Sequence, residues 1–341
     1  MSAKRIISAI VATGILAALY AYGLIDLRVI ARAFRTDPGF VIAGTVCMIV
    51  ASFIAVTRQK LALSLLNVPV SWRGAASATL VSQGIGALLP ASAATSEAIR
   101  IGLLLGGDRT LRETMAHNTA VASIVDRMMG VGVMFALGAL AAASLCFGAH
   151  ASNPLVLGLL AVANGCIGLA LLLAPLAASA PAFKALLAAL HGAQGARAHK
   201  LAGKVLPALD NLVEASELFK SRPGGLMRIA ALGLVVVLLT TTPSFLATRA
   251  VGADVPFQLL LAAQPVTIIG ILLPTGLAGY GGPQLITALV FAPLGVPPAM
   301  MVNASLIQNT LVTAVQTLLA VVVVLVDAAF PRRLIASTNQ G

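Results

Sequence analysis

Long runs of apolar residues, separated by short polar stretches, dominate the chain. A helix needs about 20 apolar residues to cross the hydrocarbon core of a bilayer. Four runs approach or exceed that length, at residues 6–25, 40–56, 128–147 and 154–178. A fifth lies between Arg228 and Arg249, and residues 255–326, longer than three spans, contain no charged residue and no histidine. The pattern predicts an all-α fold, a polytopic transmembrane helical bundle.

The amino-acid composition supports a membrane protein and excludes several other classes. Apolar residues make up 59% of the chain and charged residues 10%, whereas a soluble domain has about 45–50% and about 25%. A soluble enzyme, a disordered tail and a secreted disulfide scaffold are excluded. The three cysteines lie inside apolar runs without a CxxC pair or a Cys/His cluster: Cys47, Cys146 and Cys166. Since there is also no nucleophile–base pair, we expect no metal, no other cofactor and no enzyme activity.

The basic residues predict how the chain lies in the membrane. The formal net charge is +11, and Lys and Arg concentrate on the cytoplasmic side of membrane proteins. Placing most of them inside puts both termini in the cytoplasm, with Arg28, Arg32 and Arg35 as an opposing signal. We interpret the excess base as a topology signal rather than a nucleic-acid site. The expectation is a multi-pass protein of the cell inner membrane with no nucleic-acid partner.

One polar segment, residues 181–225, separates the apolar runs. Basic residues recur in it among Ala and Leu at helical spacing. This predicts an amphipathic cytoplasmic helix pair on the inner leaflet, where each Lys or Arg contributes about 1 kcal/mol of attraction to anionic lipids. The segment is either a topology anchor or a site for headgroups or a protein partner. Residues 1–335 are expected to form a single membrane domain, and residues 336–341 a tail.

Two stretches of the chain resemble each other. They open with Val68-Pro69-Val70 and Val255-Pro256-Phe257, and each is interrupted by a Gly-x-Leu-Leu-Pro sequence. Three predicted spans separate the copies, and this odd number makes them enter the bilayer from opposite sides. Interrupted segments at corresponding positions of inverted repeats are typical of transporter sites. The predicted repeats cover about residues 58–147 and 250–326.

The interruptions predict broken helices. Pro90 and Pro274 cannot donate a hydrogen bond to the preceding turn, and the small residues after them propagate a helix poorly. The second tract contains Gly279 and Gly281, whose backbone a lipid headgroup could approach closely. Broken backbone at membrane depth is tolerated where it is buried in protein or lines a wet cavity. Each copy should contain a re-entrant hairpin or a discontinuous helix facing the other copy; a kinked full span is the alternative.

Four charged residues lie beside or inside the apolar runs: Glu97, Arg100, Asp126 and Arg127. Each costs on the order of 2.5–3.5 kcal/mol on insertion scales, so such groups face the protein interior or a wet cavity. Glu97 and Arg100 are three residues apart and share one face of a helix. The four either form ion pairs that lock the helices or offer arginine donors to an anionic headgroup.

Three motifs carry a family resemblance. They are a basic stretch at Thr57-Arg-Gln-Lys60 followed by Pro90 and Ser96-Glu97-Ala-Ile-Arg100, then Val125-Asp126-Arg127-Met-Met-Gly130, then Leu273-Pro274 continuing to Gly282-Pro-Gln284. Over residues 5–330 the chain resembles the lysylphosphatidylglycerol synthase transmembrane-region family of flippase-like integral membrane proteins, in which the basic stretch is a loop. It departs from the usual Gly, Glu, Asp and Glu of that family at Ser96, Asp126, Gly130 and Gln284.

The resemblance implies movement of a polar-headed lipid across the membrane, with anionic, polyprenyl-linked and hopanoid lipids as candidate cargoes. Some relatives carry a soluble aminoacyl-transfer domain. Because this chain ends at Gly341, soon after the last predicted span, we expect no lipid aminoacylation. The expected substrate-binding residues are Glu97, Arg100, Asp126, Arg127, Pro90, Pro274, Gly279, Gly281 and Gln284.

Two other functions stay open at this point. One is secondary transport of a soluble solute, which uses the same repeat architecture. The other is a non-catalytic membrane partner of a lipid-synthesis complex, docked through residues 181–225. The expected partners are membrane lipids and lipid-biosynthesis enzymes, and the sequence makes no prediction of the oligomeric state.

Overall fold

The computed structural model describes residues 13–36, 38–89, 92–105, 109–148, 153–177, 220–272 and 280–329, with 181, 213 and 216 as single positions. Residues 13–21 are helical. The helices that follow in the described residues are α1 (Leu27–Thr36), α2 (Pro38–Leu65), α3 (Trp72–Ala87), α4 (Ser92–Leu105), α5 (Arg109–Cys146), α6 (Pro154–Ala177), α7 (Pro223–Ala250), α8 (Phe257–Leu272), α9 (Gly282–Phe291) and α10 (Pro298–Ala329). A 3₁₀ turn, Ala292–Leu294, follows α9. The predicted all-α fold is confirmed.

Among the described residues, five helices are long and apolar enough to cross a membrane: α2, α5, α6, α7 and α10. Their mean hydropathies lie between 2.0 and 2.4. Many of their large apolar side chains face outwards, among them Leu140, Leu155 and Met227, which are 68%, 72% and 73% exposed. Apolar surface on this scale suits a lipid surrounding rather than water. The predicted polytopic membrane bundle is confirmed.

Besides α1, which has 10 residues, four of the described helices are shorter than a membrane span. They are α3, α4, α8 and α9, with 16, 14, 16 and 10 residues. A 16-residue helix is about 24 Å long, whereas the hydrocarbon core is about 30 Å thick. Helices α3 and α4 pack against each other, and so do α8 and α9. These two pairs occupy the positions at which the sequence predicts interrupted helices.

Local sequence explains where two of the short helices begin. The hydroxyl of Ser71 accepts a hydrogen bond from the backbone N–H of Gly74 at 3.0 Å and so caps α3. Gly281 precedes α9 with a φ of 97°, a backbone conformation that favours glycine. The side chain of Gln284 accepts the N–H of Gly281 at 2.6 Å, which holds the chain at the entry to α9.

The helices pack in a reciprocal pattern. The long helices α2 and α7 contact each other, the short helix α3 packs on α10, and the short helix α8 packs on α5. Within each half, the second short helix contacts the following long helix, α4 with α5 and α9 with α10. The order long, short, short, long therefore occurs twice, as an internal repeat requires. The opposite orientation of the two copies in the membrane stays a prediction.

Glycines allow the short helices to approach the long helices of the other half closely. A Cβ added to Gly84 of α3 would lie 2.7 Å from the carbonyl oxygen of Gln316 in α10. A Cβ on Gly138 of α5 would lie 2.7 Å from the ring of Pro265 in α8. Side-chain atoms are not found at such distances without displacement of a neighbour, so both interfaces depend on glycine.

Several sequence predictions fall outside the described residues. Pro90, Pro274 and Gly279 are among these, as are the tail at 336–341 and most of the segment 181–225. Of the first predicted span, residues 6–25, the structure describes only the part from residue 13 onwards.

Candidate functional site

Charged side chains from α2, α4 and α5 form one continuous series of ion pairs, called here the ion-pair chain. Arg58 donates two hydrogen bonds to Asp126, from Nε to Oδ1 at 2.7 Å and from Nη2 to Oδ2 at 3.2 Å. The Nη1 of Arg100 lies 3.7 Å from the same carboxylate, and Arg100 also pairs with Glu97. Arg127 completes the series, because its Nε donates to Oε2 of Glu97 at 2.9 Å. The order is Arg58, Asp126, Arg100, Glu97, Arg127.

The ion-pair chain is buried in the middle and open at one end. Asp126 and Arg100 are 1% and 4% exposed, whereas the side chain of Arg127 is 43% exposed. Buried charges persist in proteins when they are paired and hydrogen-bonded, and Asp126 and Arg100 each contact two oppositely charged groups. Three guanidinium groups against two carboxylates leave a net positive charge. Arg58 and Arg127, at the two ends, each bind one carboxylate of the ion-pair chain.

Small residues make room for the guanidinium group of Arg58. A Cβ on Gly130 of α5 would lie 2.6 Å from Nη1 of Arg58, and one on Gly233 of α7 would lie 3.5 Å from the same atom. The guanidinium group therefore passes between α5 and α7, over the backbone of Gly130. Its Nε and Nη2 bind Asp126, while its Nη1 points towards these two glycines.

An apolar cluster supports the ion-pair chain and fixes the helices that carry it. Leu63 of α2, Val125 of α5 and Ile229 of α7 are completely buried in one cluster. Val125 precedes Asp126 on α5, so this packing helps to fix the part of the helix that carries the carboxylate. Asp126 and Arg100 are themselves almost inaccessible to water, which strengthens the ion pair between them.

A cavity of about 420 Å³ lies between the two halves of the bundle and is lined by residues from both. Arg58 of α2 and Arg127 of α5 line it, together with residues of α7, α8, α9 and α10. The guanidinium group of Arg58 lies beside Gly233, where an added Cβ would be 3.5 Å from Nη1, whereas the lining residues of α7 begin at Val236 and continue to Thr248. The arginines therefore lie at one end of the cavity.

Away from the arginines, uncharged polar side chains lie among a somewhat larger number of apolar residues in the cavity lining. The hydroxyls of Thr240 and Thr241 donate to backbone carbonyls of their own helix at 2.9 Å and 2.8 Å. The Thr241 hydroxyl is also hydrogen-bonded to the side chain of Gln264 on α8. The other uncharged polar residues of the lining are Ser244, Thr248, Thr267, Thr287, Ser305, Gln308, Asn309 and Gln316.

Gln284 borders this cavity without lining it. Its side chain is completely buried, accepts the N–H of Gly281 and donates to the hydroxyl of Ser305 at 3.3 Å. Ser305 does line the cavity. Gln284 is therefore a positioning residue that joins the start of α9 to α10. The amide makes both bonds at once, whereas a carboxylate could only accept.

The structure brings together four of the residues expected from sequence: Glu97, Arg100, Asp126 and Arg127. Only Arg127 of these four lines the cavity, because Arg100, Glu97 and Asp126 lie behind the lining arginines. Gly281 and Gln284 lie on the side of the second half, at the entry to α9. No group of three or more His, Cys, Asp or Glu side chains that could hold a metal ion occurs in the described part of the chain.

Sequence reasoning missed Arg58 as a site residue. The stretch Thr57–Lys60 resembles a basic loop, whereas in the structure these residues belong to α2, which continues to Leu65. The signal was available: Ala62, Leu63, Leu65 and Leu66 continue the apolar pattern past Lys60, and all four are buried. A basic residue enclosed by apolar positions on both sides belongs within a helix rather than at its end.

Comparison with known proteins agrees with this architecture. No curated protein and no solved structure matched the chain. The family model for the lysylphosphatidylglycerol synthase TM region matches residues 5–320, which is nearly the whole chain. The protein therefore belongs to the lysylphosphatidylglycerol synthase TM-region family of membrane domains.

Proposed function

We propose that this protein moves a lipid with an anionic headgroup from one leaflet of the membrane to the other. The observation that carries the proposal is the cavity between the two halves, with Arg58 and Arg127 at one end. Arginines are expensive within membrane-spanning helices and mark substrate pathways where they face a cavity. Family membership supports the same function, since the family is linked to lipid-related, flippase-like functions.

The arginines at the ends of the ion-pair chain would bind the headgroup. Arg127 is 43% exposed and keeps donors available besides its Nε, which binds Glu97. Arg58 offers Nη1, on the side away from Asp126. A guanidinium fork matches the oxygen spacing of a phosphate. Arg100 would act as a positioning residue, because it lies between Asp126 and Glu97 and does not reach the cavity.

The two halves would provide the movement. Their reciprocal packing supports two copies of opposite orientation, in which a rocking of one copy against the other exposes the cavity to each leaflet in turn. We further propose that the protein is a transporter rather than an enzyme. It would lie in the cell inner membrane with cytoplasmic termini, and its partners would be membrane lipids, with lipid-biosynthesis enzymes as further candidates.

Leaflet exchange in reconstituted vesicles tests the proposal. Fluorescent lipids in the outer leaflet are bleached by a membrane-impermeant reductant, and the rate at which inner-leaflet lipids become accessible is measured. Anionic phosphatidylglycerol should exchange faster with the protein than in protein-free vesicles. Arg127→Gln should lower that rate about tenfold to a hundredfold, as expected for loss of a hydrogen bond to a charged group.

Lys60→Gln is the matched control. Like Arg127→Gln it removes one positive charge, but from α2, two residues from Arg58, and from a side chain that does not line the cavity. Its exchange rate should equal that of the unaltered protein. If both variants lose activity equally, general surface charge rather than the cavity is responsible, and the assignment of Arg127 is wrong.

A further inference from the structure

The charges of the cavity lining have one sign only. Among the described residues that line it, Arg58 and Arg127 are charged, and every other polar residue carries a neutral hydroxyl or amide. The nearby carboxylates do not supply a negative surface. Asp126 is 1% exposed and faces two arginines, and Glu97 is paired with Arg100 and Arg127. A positively charged part of a ligand would therefore enter this cavity without a counter-charge.

The neutral lining has a distinct chemical preference. Hydroxyl and amide groups both donate and accept hydrogen bonds, as the hydroxyls of a polyol do. Thr240 shows this clearly, because its hydroxyl donates to Val236 and leaves its oxygen able to accept. Thr240 lies seven residues along α7 from Gly233, the residue beside the guanidinium group of Arg58, and this separation corresponds to about 11 Å. An anion at the arginines would thus have a neutral, hydrogen-bonding region within a headgroup's reach.

Building on the proposed function, we propose that the cargo headgroup combines an anionic group with an uncharged, hydroxyl-rich part such as glycerol or a sugar. The anionic group binds Arg58 and Arg127, and the hydroxyls bind the neutral wall formed by α7, α8 and α10. Headgroups that carry an amine, whether zwitterionic or esterified with a basic amino acid, are disfavoured because an ammonium group would lose its hydration without gaining a carboxylate. The volume of about 420 Å³ falls in the range of small-ligand sites, about 300–1,000 Å³.

Exchange of three lipids by the full-length protein in vesicles tests this selectivity. Phosphatidylglycerol carries an anion and hydroxyls, phosphatidic acid carries the anion alone, and phosphatidylcholine carries an ammonium group. We expect phosphatidylglycerol to exchange fastest. Thr240→Val should lower its rate about threefold to tenfold, as loss of one neutral hydrogen bond predicts, and leave phosphatidic acid unchanged.

Thr242→Val is the matched control on the same helix. Both threonine hydroxyls donate at 2.9 Å to the carbonyl four residues earlier, and both residues are half-buried, but Thr242 does not line the cavity. Thr242→Val should therefore have no effect on any lipid. If Thr240→Val does not fold, Gln308→Met on α10 replaces it, since this side chain also lines the neutral wall.

The outcomes separate the two proposals. If phosphatidylcholine or phosphatidic acid exchanges as fast as phosphatidylglycerol, the selectivity inference is overturned and lipid movement stands. If no lipid exchanges faster than in protein-free vesicles, lipid movement is overturned. The selectivity inference is then tested by binding of soluble headgroup compounds to the purified protein. Glycerol 3-phosphate should then raise the melting temperature more than inorganic phosphate or phosphocholine does. Equal shifts would overturn it, and uptake of glycerol 3-phosphate into vesicles would identify a soluble cargo of the same chemistry.

Discussion

In the first half of the bundle, helix α4 is joined to α5 by ion pairs, whereas in the second half the corresponding helix α9 is joined to α10 by neutral hydrogen bonds. Glu97 and Arg100 of α4 bind Arg127 and Asp126 of α5. On the other side, Gln284 of α9 binds Ser305 of α10 at 3.3 Å.

The two halves share their helix arrangement but differ in the charge of the residues at the site. Both halves contain two short helices that pack on each other and a long helix that receives the short helix of the other half. That architecture requires helix breaks and small residues, which both halves have. Charge is found at the site of one half only, since α8 and α9 contain no charged residue. We infer that the first half binds the anion and that the second half contributes a neutral wall.

The largest expected effect is loss of the charge at the centre of the ion-pair chain. Asp126→Asn keeps the shape of the side chain but leaves Arg58 and Arg100 without their shared carboxylate. Breaking a buried pair costs about 3–5 kcal/mol, because an uncompensated charge stays buried. The thermal unfolding temperature in detergent should fall steeply and lipid exchange should cease.

An exposed ion pair provides the control for this prediction. Asp254 binds Arg249 at 2.6 Å, but their side chains are 85% and 51% exposed. Asp254→Asn should change stability by about 0–1 kcal/mol, as is usual for surface pairs. A similar loss of stability in both variants would show that the buried ion-pair chain contributes nothing special to the first half.

A smaller effect should test whether the two halves pack reciprocally. Gly84→Ala and Gly138→Ala each place a Cβ 2.7 Å from an atom of the opposite half. Overpacking of this kind costs about 1–3 kcal/mol, and the two variants should lose comparable stability. Gly158→Ala on α6 is the control, because nothing lies within 4 Å of its added Cβ; it should gain about 0.5–1 kcal/mol from helix propensity. A large loss of stability in only one of these two variants would contradict the reciprocal packing of the repeat.

Sequence alone predicts the architecture well and the site in part. Apolar run lengths identify the long helices, and Pro90 and Pro274 with their small neighbours identify the interruptions, because both are local backbone properties. The cost of unpaired charge in a membrane predicts ion pairs among Glu97, Arg100, Asp126 and Arg127, but it does not predict which arginine binds which carboxylate. Arg58 was missed because its partner lies 68 residues away in sequence. The neutral lining was missed as well, since Thr240 and Gln308 acquire a shared role only when α7 and α10 come together around the cavity.

The smallest expected effect concerns which short helix moves more easily. Ser305→Ala removes the hydrogen bond from Gln284 and leaves the Gln284–Gly281 bond intact. Loss of one neutral hydrogen bond should raise amide hydrogen exchange in α9 about threefold to tenfold while α4 stays unchanged. Ser144→Ala is the control, because that hydroxyl donates only within α5, to Ala141 at 2.8 Å. In the unaltered protein α9 should already exchange faster than α4, since ion pairs hold α4. Faster exchange in α4 would reverse the comparison and make the charged half the mobile one.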